Sequence, residues 1–380
     1  MTEYKRLGDY IEPVDERNSK LEIKLSQGIC NEKYFQDPRQ VAENSAADKI
    51  VRRGYFAYNR ATTRNGEKIS IAYREGPACT VSSAYQVFRI KDEEKLNPKY
   101  LLMWYKRSDF DRYARFRSHG SAHEFFEYDE MCDVYLPLPY IDRQREIVEE
   151  YETLSNRIRL NEQMIEKLEA TAQALYRKMF VDGIDKANLP EGWRMGSFVD
   201  VVKISGGGTP DTDEPSYWNG DVLFFTPADS CDGFYCINTE KTITLLGFNN
   251  CSSKMYEKDT TFVTARGTVG KLSLASTSMA MNQSCYAFLP KITNTPYYIH
   301  QFAFEAIASL KEEAVGAVFN ALVTKDFETK EVVIPNAKEM ENYNTLVIPL
   351  YHSILRIQQE NSKLSELQTL LLAKMGNLKQ

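Results

Sequence analysis

The fold of this chain is decided by a segment that runs from Ile147 to Met179 and reads IVEEYETLSNRIRLNEQMIEKLEATAQALYRKM. Apolar or small residues recur along it at alternating intervals of four and three, and Asn161 is the one polar member of the series. This spacing predicts an α-helix with a coiled-coil seam. The helix would have about 40 residues and a length of roughly 60 Å at about 1.5 Å per residue.

The second half of the chain repeats the first. An ungapped shift of 196 residues places Pro139 on Pro335 and Lys178-Met179 on Lys374-Met375. The shift also predicts a second, weaker seam. A repeat of 196 residues is too long for a solenoid, whose repeats span a few tens of residues. We therefore expect two equivalent lobes, each followed by a long helix. The main predicted seam positions are Leu154, Ile158, Asn161, Ile165, Leu168, Leu350, Ile354, Asn361 and Leu364.

Each predicted seam must pack against something, and the nearest partner of each helix is the other. Because a lobe lies between them in sequence, we expect the helices to pack antiparallel and to hold the lobes at opposite ends of a rod. Asn161 and Asn361 would then fix the register, unless both amides lie at the seam edge and face water. Asn336 and Glu339 form a capping-box pattern, and Gly183 and Gly376 indicate helix ends.

The lobes show a mixed pattern. Short apolar runs at Ile69–Tyr73, Tyr85–Ile90 and Thr261–Thr264 predict strands, and helical patterns appear around Tyr100–Asp111 and Tyr297–Glu312. The predicted fold class is α+β. The predicted boundaries are 1–137 and 188–334 for the lobes, and 138–182 and 335–380 for the segments that contain the helices.

Length and composition are those of a soluble multidomain protein. The chain has 380 residues, of which 43% are hydrophobic and 26% charged, and chains of this length usually form two domains or more. No apolar run approaches the roughly 20 residues that span a bilayer, and the N-terminus leads into no apolar signal segment, so we expect a cytoplasmic protein. Seven cysteines without a C-x-x-C pair indicate reduced thiols and disfavour a zinc site.

Charge is unevenly distributed along the chain. The formal net charge is −6, but residues 51–120 contain 15 Lys and Arg against 7 Asp and Glu, a local charge of +8. A local basic surface is enough to contact DNA phosphates, although an ordinary solvated basic face would give the same count. Most acidic residues lie elsewhere, notably at Glu124, Glu127, Asp129, Glu130 and Asp133.

Several motifs resemble a known family. Leu189-Pro190-Glu191-Gly192-Trp193, then Ile204-Ser205-Gly206-Gly207-Gly208-Thr209-Pro210, Tyr217-Trp218-Asn219-Gly220-Asp221 and the segment from Phe262 to Lys271 follow one another in order. Together they resemble a target recognition domain of the specificity subunits of type I restriction-modification systems. The first lobe matches these motifs less closely. Its Leu7-Gly8-Asp9 parallels Met195-Gly196-Ser197.

The resemblance covers essentially the whole chain and implies a function. Each lobe would recognise one half of a bipartite double-stranded DNA site, and the helices would set the spacer between the halves. It also implies that two methyltransferase subunits dock on the chain, together with restriction subunits in systems that cleave. Those partners would use S-adenosylmethionine, ATP and Mg, and this chain would bind no cofactor, metal or membrane itself. The alternative is a two-lobed coiled-coil scaffold that binds proteins and no longer reads DNA.

Catalytic patterns are weak by comparison. Asn97-Pro98-Lys99-Tyr100 lacks the second proline of the adenine-methyltransferase loop and is interpreted as a turn that opens a helix. Gly267-Thr268-Val269-Gly270-Lys271 lacks the Walker spacing. We therefore expect a chain that is not catalytic by itself, although an enzyme fragment with an undetected site is the remaining alternative.

Recognition residues are expected among Arg, Lys, Asn and Gln, which bind phosphates and base edges. For any one of these residues, a role in capping, ion pairing or solvation is the simpler interpretation. The prediction of DNA contact therefore concerns each cluster of residues and not its single members. The candidates are Arg52, Arg53, Tyr58, Asn59, Arg60, Arg64, Arg115, Arg117, Ser118 and His119 in the first lobe, and Thr209, Tyr217, Arg266, Lys271, Asn282 and Gln283 in the second.

Overall fold

A computed structural model describes residues 4–38, 45–61, 68–119, 124–231, 234–313 and 321–376. The chain divides into two compact units, of which unit 1 is Met1–Ile158 with Leu364–Gln380 and unit 2 is Arg159–Lys363. Each unit thus combines one lobe with part of both long helices. This division differs from the predicted one, in which the helices formed segments separate from the lobes.

In each unit, runs of strands precede the helices that follow them, which is the arrangement of an α+β fold. The strands of unit 1 are β1 (Tyr4–Arg6), β2 (Ile11–Val14), β3 (Gly28–Ile29), β4 (Phe35–Gln36), β5 (Lys49–Val51), β6 (Tyr55–Asn59), β7 (Ile71–Tyr73), β8 (Cys79–Val81), β9 (Tyr85–Ile90) and β10 (Tyr135–Pro137). Those of unit 2 are β11 (Arg194–Ser197), β12 (Val202–Gly206), β13 (Trp218–Phe225), β14 (Tyr235–Cys236), β15 (Lys241–Ile243), β16 (Thr261–Thr264), β17 (Leu272–Ala275), β18 (Ala280–Met281), β19 (Cys285–Pro290) and β20 (Glu331–Ile334). The helices are α1 (Pro98–Tyr105), α2 (Ser108–Phe116), α3 (Tyr128–Cys132), α4 (Ile141–Phe180), α5 (Leu245–Asn249), α6 (Pro296–Glu313), α7 (Thr324–Glu328) and α8 (Ala337–Gly376).

Each unit contains its own antiparallel sheet, and the two sheets have equivalent strand orders. Unit 1 has the order β2-β9-β6-β7 and unit 2 the order β12-β19-β16-β17, and all these pairs are antiparallel. In unit 2, β14 adds a parallel edge to β17, and a further sheet has the order β15-β13-β18. The internal repeat of the sequence is therefore a repeat of structure, to which unit 2 adds elements of its own.

The beginning of the repeat differs from the alignment expected from the sequence. Leu7–Asp9 forms a 3-10 turn after β1, and its structural counterpart is the 3-10 turn Phe198–Asp200 after β11. The Leu7 N–H donates to the carbonyl of Val134 at 2.8 Å, and the Phe198 N–H donates to the carbonyl of Lys330 at 3.2 Å. The predicted parallel with Met195-Gly196-Ser197 is wrong, because those residues belong to strand β11.

The turn before α1 has the predicted role. The Asn97 side chain accepts hydrogen bonds from the N–H groups of Lys99 at 2.9 Å and Tyr100 at 3.2 Å, and Pro98 occupies the first helical turn. This is an ordinary N-cap. The interpretation of this motif as the start of a helix is confirmed.

The two long helices match their predicted extents and pack antiparallel within each unit. In unit 1 the Gln368 amide donates to the Ser155 hydroxyl at 2.7 Å. In unit 2 the Tyr343 hydroxyl donates to the carbonyl of Ala172 at 2.9 Å. The predicted seam positions are buried or half-buried; Ile165 and Ile354, for example, are 5% and 2% exposed.

The two seam asparagines bind each other in unit 2. The Asn161 amide N–H donates to the Asn361 amide oxygen at 2.7 Å. Asn161 is only 3% exposed, so the alternative in which it faces water is wrong. A buried amide pair of this kind fixes the register of a coiled coil, because any slip would leave an amide unpaired.

The predicted helix ends agree with the structure in most respects. The Asn336 side chain accepts from the Glu339 N–H at 3.0 Å, which forms one half of the capping box. The Glu339 carboxylate accepts a hydrogen bond from the indole of Trp193. Gly183 follows the end of α4 with a φ of 74°, and Gly376 ends α8. Within the described ranges, no helix is both long and apolar enough to cross a membrane.

Unit 1 buries an ion pair between Lys33 and Asp111. The Lys33 ammonium donates to the Asp111 carboxylate at 2.5 Å and to the carbonyl of Ile69 at 3.0 Å, and the Ile69 N–H donates to the same carboxylate at 3.1 Å. Burial lowers the pKa of Lys33, and Asp111 opposes that shift. The pair therefore fixes α2 against the residues that precede strand β7.

Candidate nucleic-acid interface

In unit 1, three segments meet at the end of strand β6. The Phe126 N–H donates to the carbonyl of Arg60 at 2.9 Å, and Phe125 forms backbone bridges with both Ala61 and His119. The Arg60 guanidinium donates to the carbonyl of Ala84 at 3.2 Å. We call this surface the first rim, and it consists of residues 59–61, 82–84, 119 and 124–130 together with the side chains of Arg115 and Arg117.

The basic residues of the first rim are paired with carboxylates. Arg60 lies 3.2 Å from Glu127, and Arg115 lies 3.2 Å from Glu124. Arg117 binds Glu130, and that hydrogen bond raises the pKa of Arg117. His119 also faces Glu130, at 3.8 Å. These acidic residues lie outside the basic segment in sequence, but the chain returns after α2 and brings them to the same surface.

The remaining first-lobe candidates do not gather at this rim. Arg52 precedes strand β6, binds Glu16 at 2.8 Å and thus lies at the opposite end of the strand from Arg60. Arg53, its neighbour, is exposed. Arg64 lies outside the described residues. The predicted group is thereby divided in two, with Asn59, Arg60, Arg115, Arg117 and His119 on the rim.

Two candidates are inside the protein. Tyr58 is 0% exposed and its ring lies 6.0 Å from that of Phe126, and burial raises its pKa well above the usual value. Ser118 is 8% exposed, and its hydroxyl donates to the carbonyl of Ala114 at 2.6 Å. Their prediction as DNA contacts is wrong, because Tyr58 packs in the core and Ser118 completes a helix end.

Unit 2 forms the same arrangement at the end of strand β16. The Leu322 N–H donates to the carbonyl of Ala265 and the Ala265 N–H to the carbonyl of Ser284, both at 2.9 Å. Arg266 forms a backbone bridge with Ala321. These contacts correspond to those of Arg60, Ala61 and Phe125 in unit 1. We call residues 264–271, 282–284 and 321–322, with the glycine-rich loop 206–211, the second rim.

The glycine-rich loop packs tightly against the turn before β19. The Thr209 hydroxyl binds the Gln283 side chain, and the Gly208 N–H donates to the carbonyl of Met281 at 2.9 Å. A Cβ atom on Gly207 would lie 2.1 Å from the carbonyl oxygen of Asn282. Glycine is therefore required for this approach, and the structure brings together Thr209, Asn282 and Gln283 as one group.

The other second-lobe candidates surround this group. Arg266 is exposed at the β16–β17 turn. Lys271 is half-buried, and its N–H donates to the Thr264 hydroxyl at 3.0 Å. Tyr217 lies beside α5, where its carbonyl accepts from the Thr244 N–H at 2.9 Å. The neighbouring Trp218 indole donates to the carbonyl of Asp211 at 3.0 Å, which connects this region to the glycine-rich loop.

Some rim residues were missed by the sequence analysis. Ser82–Ala84 occupies the position in unit 1 that Asn282–Ser284 occupies in unit 2, since each precedes the equivalent strand β9 or β19. Aligning those two strands, which start at Tyr85 and Cys285, would have revealed it. Leu245 and Leu246 of α5, which are 69% and 52% exposed, also lie beside Tyr217. The internal sequence repeat did not point to them.

The rims offer hydrogen-bond donors and acceptors. The described part of the chain contains no group of three or more His, Cys, Asp or Glu side chains placed to hold a metal ion. All seven cysteines are free. Exposed guanidinium groups bind phosphates or guanine, and side-chain amides bind adenine, so both rims have the chemistry of a DNA-contacting surface.

Comparison with known families agrees with this chemistry. Residues 46–170 and 190–369 match the family described as the type I restriction modification DNA specificity domain. The chain belongs to this family. The prediction of a DNA specificity subunit, made from ordered motifs, is confirmed.

Individual relatives have the same description. The chain is 25% identical over 188 residues to the type I restriction enzyme MjaIX specificity subunit of Methanocaldococcus jannaschii, an alignment that covers 48% of this chain and 43% of that protein. It is 20% identical over 404 residues to the HindI specificity subunit of Haemophilus influenzae, covering 87% of both proteins. The first alignment thus spans less than half of its relative, and the second spans most of it.

A solved structure shows the same fold. The crystal structure of the S subunit of a type I restriction-modification system from M. genitalium superposes with a TM-score of 0.60 and 12% sequence identity, and the match covers 98% of this chain and 96% of that one. The predicted fold, two α+β recognition domains with two long antiparallel helices, is confirmed.

Proposed function

We propose that the chain recognises an asymmetric, bipartite site on double-stranded DNA, with the first rim contacting one half and the second rim the other. The observation that carries this proposal is the shared construction of the rims. The same three segments meet at the ends of β6 and β16, yet the side chains that they present differ. Two equivalent surfaces with different side chains fit two different half-sites.

The side chains of each rim are suited to both base and phosphate contacts. Asn282 and Gln283 carry amides, which form bidentate hydrogen bonds with adenine in the major groove. Arg266, exposed beside them, is suited to a phosphate or to guanine. In the first rim, Arg60, Arg115 and Arg117 provide the cationic groups, and Asn59 provides an amide.

The long helices would set the unread spacer between the half-sites. Helices α4 and α8 are each continuous over 40 residues, and their register is held by the Asn161–Asn361 bond in unit 2 and the Ser155–Gln368 bond in unit 1. A rigid helical pair fixes the separation of two DNA-binding surfaces, as dimer geometry fixes half-site spacing in other proteins.

The chain would not catalyse a reaction by itself. Two methyltransferase subunits would dock on it and methylate adenine with S-adenosylmethionine. Restriction subunits, where present, would supply cleavage that depends on ATP and Mg. In this proposal the chain determines where the partners act.

Methylation mapping tests the proposal. The chain is co-expressed with the methyltransferase subunit encoded beside it, and methylated adenines are mapped across the host genome by long-read sequencing. One bipartite motif, lost when Arg266 and Gln283 are both replaced by Ala, is the expected result. A stable complex that leaves DNA unmethylated would instead favour the protein-binding scaffold.

The spacer provides a second measurement in the same system. Deleting one heptad from α4 and the facing heptad from α8 shortens the helical pair by about 10 Å, which corresponds to roughly 3 base pairs. We expect the half-sites to persist and the spacer to shorten. An unchanged spacer would contradict the assigned role of the helices.

A further inference from the structure

Each of the three arginines of the first rim is paired with a glutamate. Glu124, Glu127 and Glu130 all come from the segment that follows α2, and they contact Arg115, Arg60 and Arg117 respectively. We propose that these glutamates occupy the positions of DNA phosphates while no DNA is bound, and that they thereby weaken binding to non-cognate DNA. This inference rests on the proposed function of the first rim.

The geometry favours competition over a purely structural role for Glu127. Its side chain is 54% exposed, and that of Arg60 is 34% exposed. Arg60 is also held by the carbonyl of Ala84 and lies over the ring of Phe125, with 5.9 Å from the guanidinium carbon to the ring centroid. The guanidinium therefore keeps its position when the carboxylate leaves, and a phosphate could replace Glu127 there.

The other two pairs surround the same surface. Arg115 and Glu124 are 46% and 37% exposed. Glu130 is less accessible, at 20%, and it faces both Arg117 and His119. The glutamates thus lie beside every arginine of the described rim.

In the part of the second rim that the structure describes, no glutamate takes these positions. The 196-residue shift places Glu124 and Glu127 on Asn320 and Val323. The third glutamate, Glu130, falls on Asp326, whose carboxylate accepts from the N–H of Val323 at 2.8 Å and so caps α7. Among the described residues, Arg266 forms no ion pair. The carboxylates are therefore a property of the first rim, and the shared fold does not require them.

Competition of this kind has a predictable effect on affinity. Non-specific DNA binding depends on phosphate contacts and on the counterions that they release. A phosphate that must displace a glutamate gains less free energy than one that meets an unpaired arginine. Cognate DNA adds base contacts that offset this loss, whereas non-cognate DNA does not, so the glutamates would keep the affinity for non-cognate DNA low while cognate DNA still binds.

The test uses the full chain and the triple variant Glu124→Gln, Glu127→Gln, Glu130→Gln. Glutamine keeps the size of the side chain and an acceptor oxygen but removes the charge. Binding to a random-sequence duplex is measured by fluorescence anisotropy between 50 and 200 mM salt. We expect roughly tenfold tighter binding at low salt, and a salt dependence steeper by about 0.9 in log K against log salt for each arginine released.

The matched control is Glu16→Gln. Glu16 binds Arg52 in the same unit, and their side chains are 35% and 51% exposed, but this pair lies at the other end of β6. The control should bind random DNA as the unmodified chain does. A gain in the control equal to that of the single Glu127→Gln variant would show an effect of net charge alone and would overturn the inference.

Other outcomes are also decisive. If the unmodified chain binds DNA and the triple variant binds no more tightly, the inference is wrong and the proposed function stands. If Glu127→Gln changes the preferred base without tightening random binding, Glu127 reads cytosine and the inference is again wrong. If neither protein binds DNA, both proposals fail. Should the triple variant unfold, the single Glu127→Gln variant carries the test, because its side chain is exposed.

Discussion

The two units share a strand order, but different side-chain interactions hold their rims. In unit 1 the rim is held by pairs of opposite charge, such as Arg60 with Glu127. In unit 2 the rim is held by close packing of uncharged groups, with Gly207 against the carbonyl of Asn282 and Thr209 bound to Gln283. A sheet with the same strand order therefore supports two surfaces that are stabilised in unrelated ways.

The same difference extends into the interior. The charged residues buried among the described residues are Lys33, Lys49, Arg74 and Asp111, all in unit 1. The buried polar residues of unit 2 are uncharged serine, threonine, asparagine and glutamine side chains and His300. Buried charges are costly unless paired. The stability of unit 1 therefore depends on the pairing of its buried charges, whereas that of unit 2 depends on how well uncharged side chains fill its core.

The largest expected effect comes from breaking the buried ion pair of unit 1. Asp111→Asn removes the charge that faces the Lys33 ammonium, and loss of one partner of a buried pair costs about 3–5 kcal/mol. The measurement is the free energy of unfolding from urea titration. Asp109→Asn is the control, because Asp109 lies on the same helix but is 54% exposed, and it should change stability by less than about 1 kcal/mol.

A smaller effect is expected in unit 2 from filling the glycine contact. Gly207→Ala places a Cβ atom against the backbone oxygens of Asn282 and Met281, which should cost about 1–3 kcal/mol and abolish methylation that depends on the second half-site. Gly206→Ala is the matched control, since no atom lies within 4 Å of its added Cβ. Equal behaviour of the two variants would contradict the role given to close packing.

The smallest effect is the dependence of stability on pH that Lys33 of unit 1 contributes. Burial lowers the pKa of Lys33, so the folded chain releases this proton at lower pH than the unfolded chain does. Between the two pKa values the unfolded state binds more protons, and the free energy of unfolding should rise with pH by at most about 1.4 kcal/mol per unit.

This pH dependence is measured against the double variant Lys33→Met, Asp111→Leu, which removes the pair together. Urea titrations at alkaline pH should show the unmodified chain gaining stability relative to the double variant as pH rises. A constant difference would show that Lys33 titrates alike in both states.

The long helices and the α+β class were predictable because their signals are local. The seam of α4 repeats every three or four residues, and strand β9 was predicted with its observed bounds, Tyr85–Ile90. The capping role of Asn97 was likewise a matter of neighbouring residues. Local periodicity and capping are the patterns that a sequence shows most directly.

The composition of the rims was less predictable because it depends on distant contacts. Tyr58 was assigned to the surface from its basic neighbours, yet it shares a face of β6 with Phe56, and both are 0% exposed. Alternation along the strand would have placed it inside. The pairing of Glu127 with Arg60 depends on the path of the chain after α2, which no short pattern encodes.

The Asn161–Asn361 pair has a consequence for symmetry. The 196-residue shift that relates the helices maps Asn161 onto Ile357 and Asn361 onto Ile165, and both isoleucines are buried, at 7% and 5% exposure. Exchanging one helix for a second copy of the other would therefore set an amide against an isoleucine. Since an unpaired buried amide is unfavourable, the pair favours association of the two non-identical helices over self-association of either.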